Sequence, residues 1–304
     1  MENKAHVPHR TTSELSCEHY MNAYERALAL ALRERTLAAN FRNFAWTIVG
    51  NYRLGQIYHS LGEYSNAAEA LTRNVTLLDG DLQRETFELA GLPSVLSRVW
   101  LALTLAEQGG LDEAIAHTEE ATAIAEAENH AFSLVVAHAG AGMIHLFRGD
   151  CEKAIGPLER GLVIDRLSDI PFLFPFVAAP LGWAYVLAGR HDEGLRLLEE
   201  AIERAEAMEW TGNHAIRLVW LGRAHLLAGH GDIATRLGLR ALELARRLGE
   251  RGHEAHALQL LGELAGKAVP PDVERASEHY RAALSLAEAL GMRPLAAAIA
   301  SSLP

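Results

Sequence analysis

The residues best suited to chemistry in this chain are its histidines. Fifteen histidines occur among 304 residues, and His253 and His256 stand three positions apart, on one edge of a helix. A zinc site needs a third or fourth ligand, and each ligand needs partners of its own. The sequence supplies no obvious further ligand. We interpret these histidines as solvated or capping residues, and we expect no metal.

The carboxylates show no catalytic arrangement either. They cluster on segments predicted to be helical and interleave with arginine and histidine. This pattern is typical of a solvated helix face. Examples are Glu119, Glu120, Glu199, Glu200 and Glu203. The sequence contains no GxxxxGK[ST], GxSxG, HExxH or CxxC motif. We therefore expect no catalytic residues, no cofactor and no enzymatic activity.

The composition argues against some classes of binding partner and predicts the cellular compartment. A formal net charge of −11 argues against nucleic acid and against anionic membrane surfaces. Cys17 and Cys151 lack metal-type spacing, which predicts free thiols in a reducing compartment. No apolar run reaches the roughly 18 residues of a membrane span, and the first residues lack the apolar stretch of a signal peptide. These features predict a cytoplasmic protein.

The sequence also contains an internal repeat, which is marked by small residues and sets where the side chains above lie in the fold. Ala102, Gly142, Gly182, Gly222 and Gly262 follow one another at intervals of 40 residues, with Gly55 out of phase by seven. A glycine inside a helix costs about 1 kcal/mol relative to alanine. Its recurrence therefore predicts a second helix packed too closely for a β-carbon. Seven residues after each of these small residues except Gly262 stands a glycine suited to ending a helix: Gly62, Gly109, Gly149, Gly189 and Gly229.

The order of small residue, turn glycine and second small residue, followed by Leu71, Leu158 or Leu198, resembles the tetratricopeptide repeat. The usual unit has about 34 residues, so this one is longer. The resemblance implies an all-α fold, a right-handed α-solenoid of helical hairpins with a roughly 40-residue repeat. We expect a disordered segment over 1–12 and one solenoid over 13–304. The solenoid comprises a half repeat (13–41), six repeats (45–288) and a closing helix (293–302).

Three longer strings look like the C-terminal repeat region of bacterial class III adenylate or guanylate cyclases that also carry an ATPase domain. They lie at 91–102, at 169–190 and near the end, where the chain reads PPDVERASEHYRAALSLAEALGMRPL. The resemblance covers about residues 24–296 and implies a regulatory or assembly module. It leaves open whether the chain is free-standing or a piece of a larger regulator.

Tetratricopeptide arrays expose one face of each first helix on the concave side of the superhelix. Here that face is apolar in the middle and polar at both ends, and an exposed apolar stretch usually marks a binding surface. The alternative is that longer helices bury these residues between repeats. The candidate groove residues are Tyr52, Gln56, Leu103, Met143, Phe147, Phe176, Trp183, Leu187, Val219 and Arg223.

Three functions remain open at this point. The first is a non-catalytic scaffold that binds a protein or peptide segment in the groove. The second is a sensor that encloses a small apolar ligand. The third is self-association into a homo-oligomer through the ends of the array. Arg223, a charge among apolar neighbours, demands either an acidic partner or an internal counter-ion.

Overall fold

The computed structural model describes residues 12–303, with side chains described from Tyr24 onward. The expectation of disorder for 1–12 falls outside this range except at Thr12, the first residue of a helix. The described chain is all helical, with fourteen α-helices, one 3-10 helix and no strand. The α-helices are α1 (Thr12–Phe41), α2 (Phe44–Leu61), α3 (Tyr64–Leu77), α4 (Pro93–Glu107), α5 (Leu111–Glu128), α6 (Ala131–Phe147), α7 (Cys151–Ser168), α8 (Phe174–Leu187), α9 (His191–Ala207), α10 (His214–Leu227), α11 (Gly231–Leu248), α12 (Arg251–Lys267), α13 (Val273–Leu290) and α14 (Arg293–Ala300).

The helices pack as hairpins in two layers. Each even-numbered helix from α2 to α12 packs against the helix that follows it, and each one from α2 to α10 also packs against the even-numbered helix of the next hairpin. The even-numbered helices therefore form the inner layer of a solenoid, and the odd-numbered helices form the outer layer. Helix α1 packs on α2 as an additional outer helix. The all-α solenoid predicted from the sequence is confirmed.

The small residues lie where helices touch. A β-carbon on Gly182 would lie 2.9 Å from the carbonyl oxygen of Gly194, on the partner helix of the same hairpin. A β-carbon on Gly262 would lie 2.8 Å from Cδ1 of Tyr280. The close packing inferred from the sequence is confirmed at both positions. All five turn glycines have left-handed φ angles between 79° and 86°, as predicted.

The extra residues between the first two hairpins form a loop that contains the 3-10 helix (Gly80–Arg84). The hydroxyl of Ser94, in the first turn of α4, donates a hydrogen bond of 2.7 Å to the carbonyl of Gln83. This contact ties the loop to the second hairpin. Among residues 12–303, no helix is both long enough and apolar enough to cross a membrane.

The superhelix returns to its own start. Helix α12 contacts α2, α11 contacts α1, and α14 contacts α4, so the six inner helices form a closed ring. The Tyr24 hydroxyl donates to Glu250 Oε1 at 3.0 Å, and Arg293 Nε donates to the Gln108 carbonyl at 2.6 Å. We call this junction of α1–α4 with α11–α14 the closure interface. Because of it, the predicted concave face is the interior of a ring.

Candidate functional site

The interior of the ring contains a small cavity, which we call the central cavity. Its volume is about 70 Å³, and four aromatic side chains contribute to its wall: Trp100, Phe147, Phe176 and Trp220. Trp100 of α4 reaches toward α8, so that its ring centroid lies 6.4 Å from that of Phe176. The ring is thus filled across its middle by side chains from non-adjacent hairpins.

A second recess, which we call the end cleft, opens at the carboxyl ends of α8, α10 and α12. It measures about 340 Å³ and is lined by Trp183, Leu187, Leu226 and Leu227 with a polar side formed by Arg223, Gln259, Glu263 and Lys267. Leu187 is 42% exposed and Leu227 51% exposed. The end cleft therefore presents apolar surface to solvent.

The ten candidate groove residues divide among these places. Leu103, Met143, Phe147 and Phe176 line the central cavity. Trp183, Leu187 and Arg223 line the end cleft. Tyr52 and Gln56 are half-buried and line neither recess. Val219 is fully buried between helices, so the structure offers it no solvent-facing surface.

Glu250 is the main carboxylate of the closure interface, and it is fully buried. Its Oε1 accepts the Tyr24 hydroxyl at 3.0 Å and the backbone N–H of Asn213 at 3.4 Å. Its Oε2 lies 2.9 Å from His253 Nδ1. Burial, reinforced by the nearby Glu250 charge, raises the pKa of Tyr24, so the phenol remains a donor. Both carboxylate oxygens therefore have hydrogen-bonding partners within the fold.

Glu107 is a second carboxylate, at the edge of the central cavity. His256 Nε2 lies 3.9 Å from its Oε2. Burial by itself raises the pKa of Glu107, but His256 and the other nearby histidines outweigh burial and hold that pKa below its ordinary value. His59, whose Nδ1 lies 3.0 Å from Thr104 Oγ1, has its pKa lowered to about 4, chiefly by burial.

Both histidines of the pair identified in the sequence face carboxylates. His253 faces Glu250, and His256 faces Glu107. Within the described residues, no group of three histidine, cysteine, aspartate or glutamate side chains is arranged to hold a metal ion.

Arg217 of α10 lines the central cavity and is 2% exposed. Its Nη2 donates to the carbonyl of Gly212 at 2.8 Å, and its guanidinium carbon lies 5.1 Å from the ring centroid of Trp210. No carboxylate of the described residues lies within 4.0 Å of it. Burial, opposed by Glu250, lowers the pKa of Arg217 to about 10, so the side chain is still a cation at neutral pH.

Two other arginines have counter-ions. Arg223 Nη2 donates to Glu263 Oε1 at 3.1 Å and also to Gln259 Oε1. Arg98 Nη2 donates to Glu120 Oε1 at 2.8 Å. The question posed by Arg223 in the sequence is answered by an internal partner. The Nε atom has no hydrogen-bond acceptor in Arg98, in Arg217 or in Arg223. The three arginines therefore do not differ at Nε. They differ in whether a carboxylate lies within 4.0 Å of the guanidinium.

Sequence reasoning did not place Trp100, Trp220 or Arg217 in the candidate groove. Both tryptophans stand two positions before the small residue of their repeat, Ala102 and Gly222. The matching position in two repeats was a signal for a shared orientation. Arg217 carries no comparable signal, because its environment depends on how the ring closes.

The comparisons with known proteins agree with this architecture. Residues 50–77, which lie within α2 and α3, match the model of the tetratricopeptide repeat. The fold resembles the crystal structure of a Rap protein complexed with competence and sporulation factor, with 16% identity, a TM-score of 0.65, and coverage of 92% of this chain and 77% of that one. The apo form of RapI gives 13% identity and a TM-score of 0.62, with 91% and 97% coverage.

A third similar structure is a signal transduction ATPase with numerous domains, from Pyrococcus horikoshii, which has a tetratricopeptide repeat sensor. It is 16% identical with a TM-score of 0.54, and the alignment covers 95% of this chain and 44% of that one. No curated protein sequence matches the chain. At these identities the likeness is one of fold: the chain is a helical repeat protein whose architecture is similar to that of tetratricopeptide-repeat structures.

Proposed function

We propose that this chain is a non-catalytic scaffold that binds a peptide or protein segment on the inner face of its ring. The observation that carries this proposal is the end cleft. It combines an open apolar wall, Trp183, Leu187 and Leu227, with a polar side formed by an internally paired arginine. Apolar anchors beside hydrogen-bonding groups are typical of peptide recognition.

The similar structures support the same proposal. The Rap protein was crystallised in complex with competence and sporulation factor, and the ATPase from Pyrococcus horikoshii has a tetratricopeptide repeat sensor. The resemblance to the repeat region of bacterial cyclases that the sequence suggested is not among the comparisons, but it too would imply a regulatory module. All three favour recognition by the repeats rather than catalysis.

An enclosed apolar ligand is the weaker alternative. Pockets for ordinary small ligands measure about 300–1,000 Å³, whereas the central cavity measures about 70 Å³. A ligand that needs a pocket of 300 Å³ or more would fit only if the ring widened. A peptide that lies in the open end cleft requires no such change.

A synthetic mixture of random heptapeptides tests the proposal. The protein is mixed with the peptides, bound peptides are recovered by gel filtration, and they are identified by mass spectrometry. We expect the native protein to enrich a subset, and Trp183→Ala to reduce its recovery at least tenfold, since removing an aromatic anchor costs about 2 kcal/mol or more. Phe176→Ala tests the central cavity in the same way.

The matched control is Leu167→Ala on the outer helix α7, where the side chain is 81% exposed. This variant should enrich the same peptides as the native protein. Helical circular dichroism verifies the fold of each variant. Failure of the native protein to enrich any peptide, or equal enrichment by Trp183→Ala, would contradict the proposal.

A further inference from the structure

Exposed aromatic side chains are concentrated where α1 turns into α2. Phe41 is 71% exposed and Trp46 45% exposed, and Phe44 between them is exposed as well. Among the residues whose side chains the structure describes, Phe172 is the one other exposed phenylalanine, tyrosine or tryptophan. An exposed apolar patch on a soluble protein usually marks an interaction surface. We call Phe41, Phe44 and Trp46 the corner patch.

The insertion after the first hairpin extends the corner patch. The seven residues that exceed the repeat lie in the loop over 78–92, between α3 and α4. Within this loop Phe87 stands edge-on to Phe44, with ring centroids 5.8 Å apart. Phe87 and Glu88 have φ angles of 49° and 66°, which residues other than glycine rarely adopt. The loop is therefore turned back onto the corner patch.

The charges around these aromatic residues form two groups of opposite sign. Residues 24–53 contain five arginines and two glutamates, although the whole chain has a net charge of −11. Arg33 and Arg42 of this group are exposed. The loop over 78–92 contains one cation, Arg84, and four exposed carboxylates. These carboxylates belong to Asp79, Asp81, Glu85 and Glu88.

The two groups lie on the same side of the molecule without neutralising each other. Arg84 pairs with Glu128 at 3.0 Å, outside the loop. Within the described residues, no carboxylate lies within 4.0 Å of Arg33 or Arg42, and no cation lies that close to Glu85 or Glu88. Phe44 and Phe87 stand where the basic and the acidic group meet. Such a surface is complementary to itself after a rotation of 180°.

This charge pattern favours a second copy of the chain over other occupants. An anionic lipid surface would attract the arginines but would repel the loop beside them. A purely acidic or purely basic partner would match half of the surface. The ends of the array, which the sequence offered as a route to self-association, pair with each other at the closure interface. A second copy supplies both charges in the required places.

We propose that the corner patch and the loop over 78–92 form the interface of a symmetric dimer. A two-fold axis close to Phe44 and Phe87 sets the arginines of each copy against the loop carboxylates of the other. Phe41 and Trp46 are buried between the copies. The dimer goes beyond the scaffold function and does not depend on it, because the end cleft lies at the carboxyl ends of inner helices, whereas the corner patch lies at the amino end of α2.

Sedimentation equilibrium of the full chain tests the dimer. We expect a species of twice 33.2 kDa that dissociates as salt is added. Phe41→Ser and Trp46→Ala should each weaken association at least tenfold, since they remove aromatic anchors. Leu239→Ala, which changes a side chain of α11 that is 45% exposed, is the matched control and should associate as the native chain does. Circular dichroism verifies the fold of each variant. A native chain that stays monomeric at about 100 µM, where a micromolar dimer would be nearly complete, would overturn the proposal.

Charge reversal tests the symmetry of the interface. One variant combines Arg33→Glu with Arg42→Glu, and the other combines Glu85→Lys with Glu88→Lys. Each variant alone should associate at least tenfold more weakly, because like charges then face each other. Mixed in equal amounts, with one variant fluorescently labelled, the two should form a mixed dimer of near-native affinity, because every facing pair is again of opposite sign. Absence of this rescue would refute the two-fold arrangement.

Two further measurements separate the dimer from other uses of this surface and from the scaffold function. Vesicles of phosphatidylcholine and phosphatidylserine should not sediment the native chain. Sedimentation that Trp46→Ala abolishes would make the corner patch a lipid-binding surface and refute the dimer. Monomeric Phe41→Ser should still enrich the same heptapeptides as the native chain. Loss of the dimer with peptide enrichment intact, or the reverse, therefore shows which of the two proposals fails.

Discussion

Arg217 and Arg223 lie six positions apart on the same inner helix, α10, and the fold treats them differently. Arg223 borders the end cleft and pairs with Glu263, one repeat further along the chain. Arg217 borders the central cavity and is more deeply buried. No carboxylate of the described residues lies within 4.0 Å of it, although the Glu250 charge acts on it from further away. The paired arginine joins two neighbouring hairpins. The second arginine is held by the Gly212 carbonyl and by the more distant charge of Glu250.

The two recesses also differ in how they respond to protons. The central cavity is bordered by His59, His253 and Glu107, next to the buried Glu250. The residues that line the end cleft include no histidine. The closure of the ring and the central cavity therefore share one ionisable network, whereas the end cleft stands apart from it.

The largest predicted difference between the two regions is the loss of unfolding free energy when a carboxylate is removed from each. Glu250→Ala leaves the Tyr24 hydroxyl and the Asn213 N–H without an acceptor in a buried site and removes the negative charge closest in effect to Arg217. We expect the free energy of unfolding to fall by about 3–5 kcal/mol. Glu263→Ala breaks a partly exposed pair in the end cleft and should cost about 1 kcal/mol. Urea denaturation measures both, and equal losses would erase the proposed distinction.

Acidification should weaken the central region first. His59 has a folded pKa of about 4, lowered chiefly by burial, against an ordinary value near 6.5. Between these values the unfolded chain binds a proton that the folded chain does not, so stability falls as the pH drops from about 6.5 to 4. The full effect is on the order of 3 kcal/mol. Above pH 6.5 the contribution of His59 is constant.

Urea denaturation across this pH range measures the effect. His59→Gln should flatten the dependence, because it removes the group that titrates. The exposed His191, replaced by glutamine, is the matched control and should leave the dependence as it is in the native protein. A slope that survives His59→Gln unchanged would assign the acid sensitivity to other groups.

The sequence predicted the local architecture because that architecture is periodic. Small residues at fixed intervals marked the contacts within hairpins, and the turn glycines marked the helix ends. Even the counter-ion of Arg223 follows the period, since Glu263 lies 40 positions later. Neighbouring repeats place such residues side by side, so a pattern in sequence becomes a contact in space.

Ring closure does not follow the period. The hydrogen bond between Tyr24 and Glu250 joins residues 226 positions apart. It depends on small rotations that accumulate over six hairpins, and no local pattern of residues encodes that sum. The sequence likewise left open whether Val219 faces the groove or is buried between repeats, and the structure buries it completely. It also gave no reason to single out Arg217.

The smallest predicted effect is a change in the free energy of unfolding that has opposite signs when Arg217 and Arg223 are each replaced by methionine. Arg217→Met replaces a buried cation that has no carboxylate of the described residues within 4.0 Å with an apolar side chain of similar length, and the carboxylate of Glu250 keeps its other donors. We expect the unliganded protein to gain about 1–2 kcal/mol in its free energy of unfolding. Arg223→Met strands Glu263 and Gln259 and should lose about 1 kcal/mol. Urea denaturation without ligand measures both variants. Loss of stability in Arg217→Met would mean that the ring uses this cation for its own closure, and the contrast between the two recesses would then be one of burial alone.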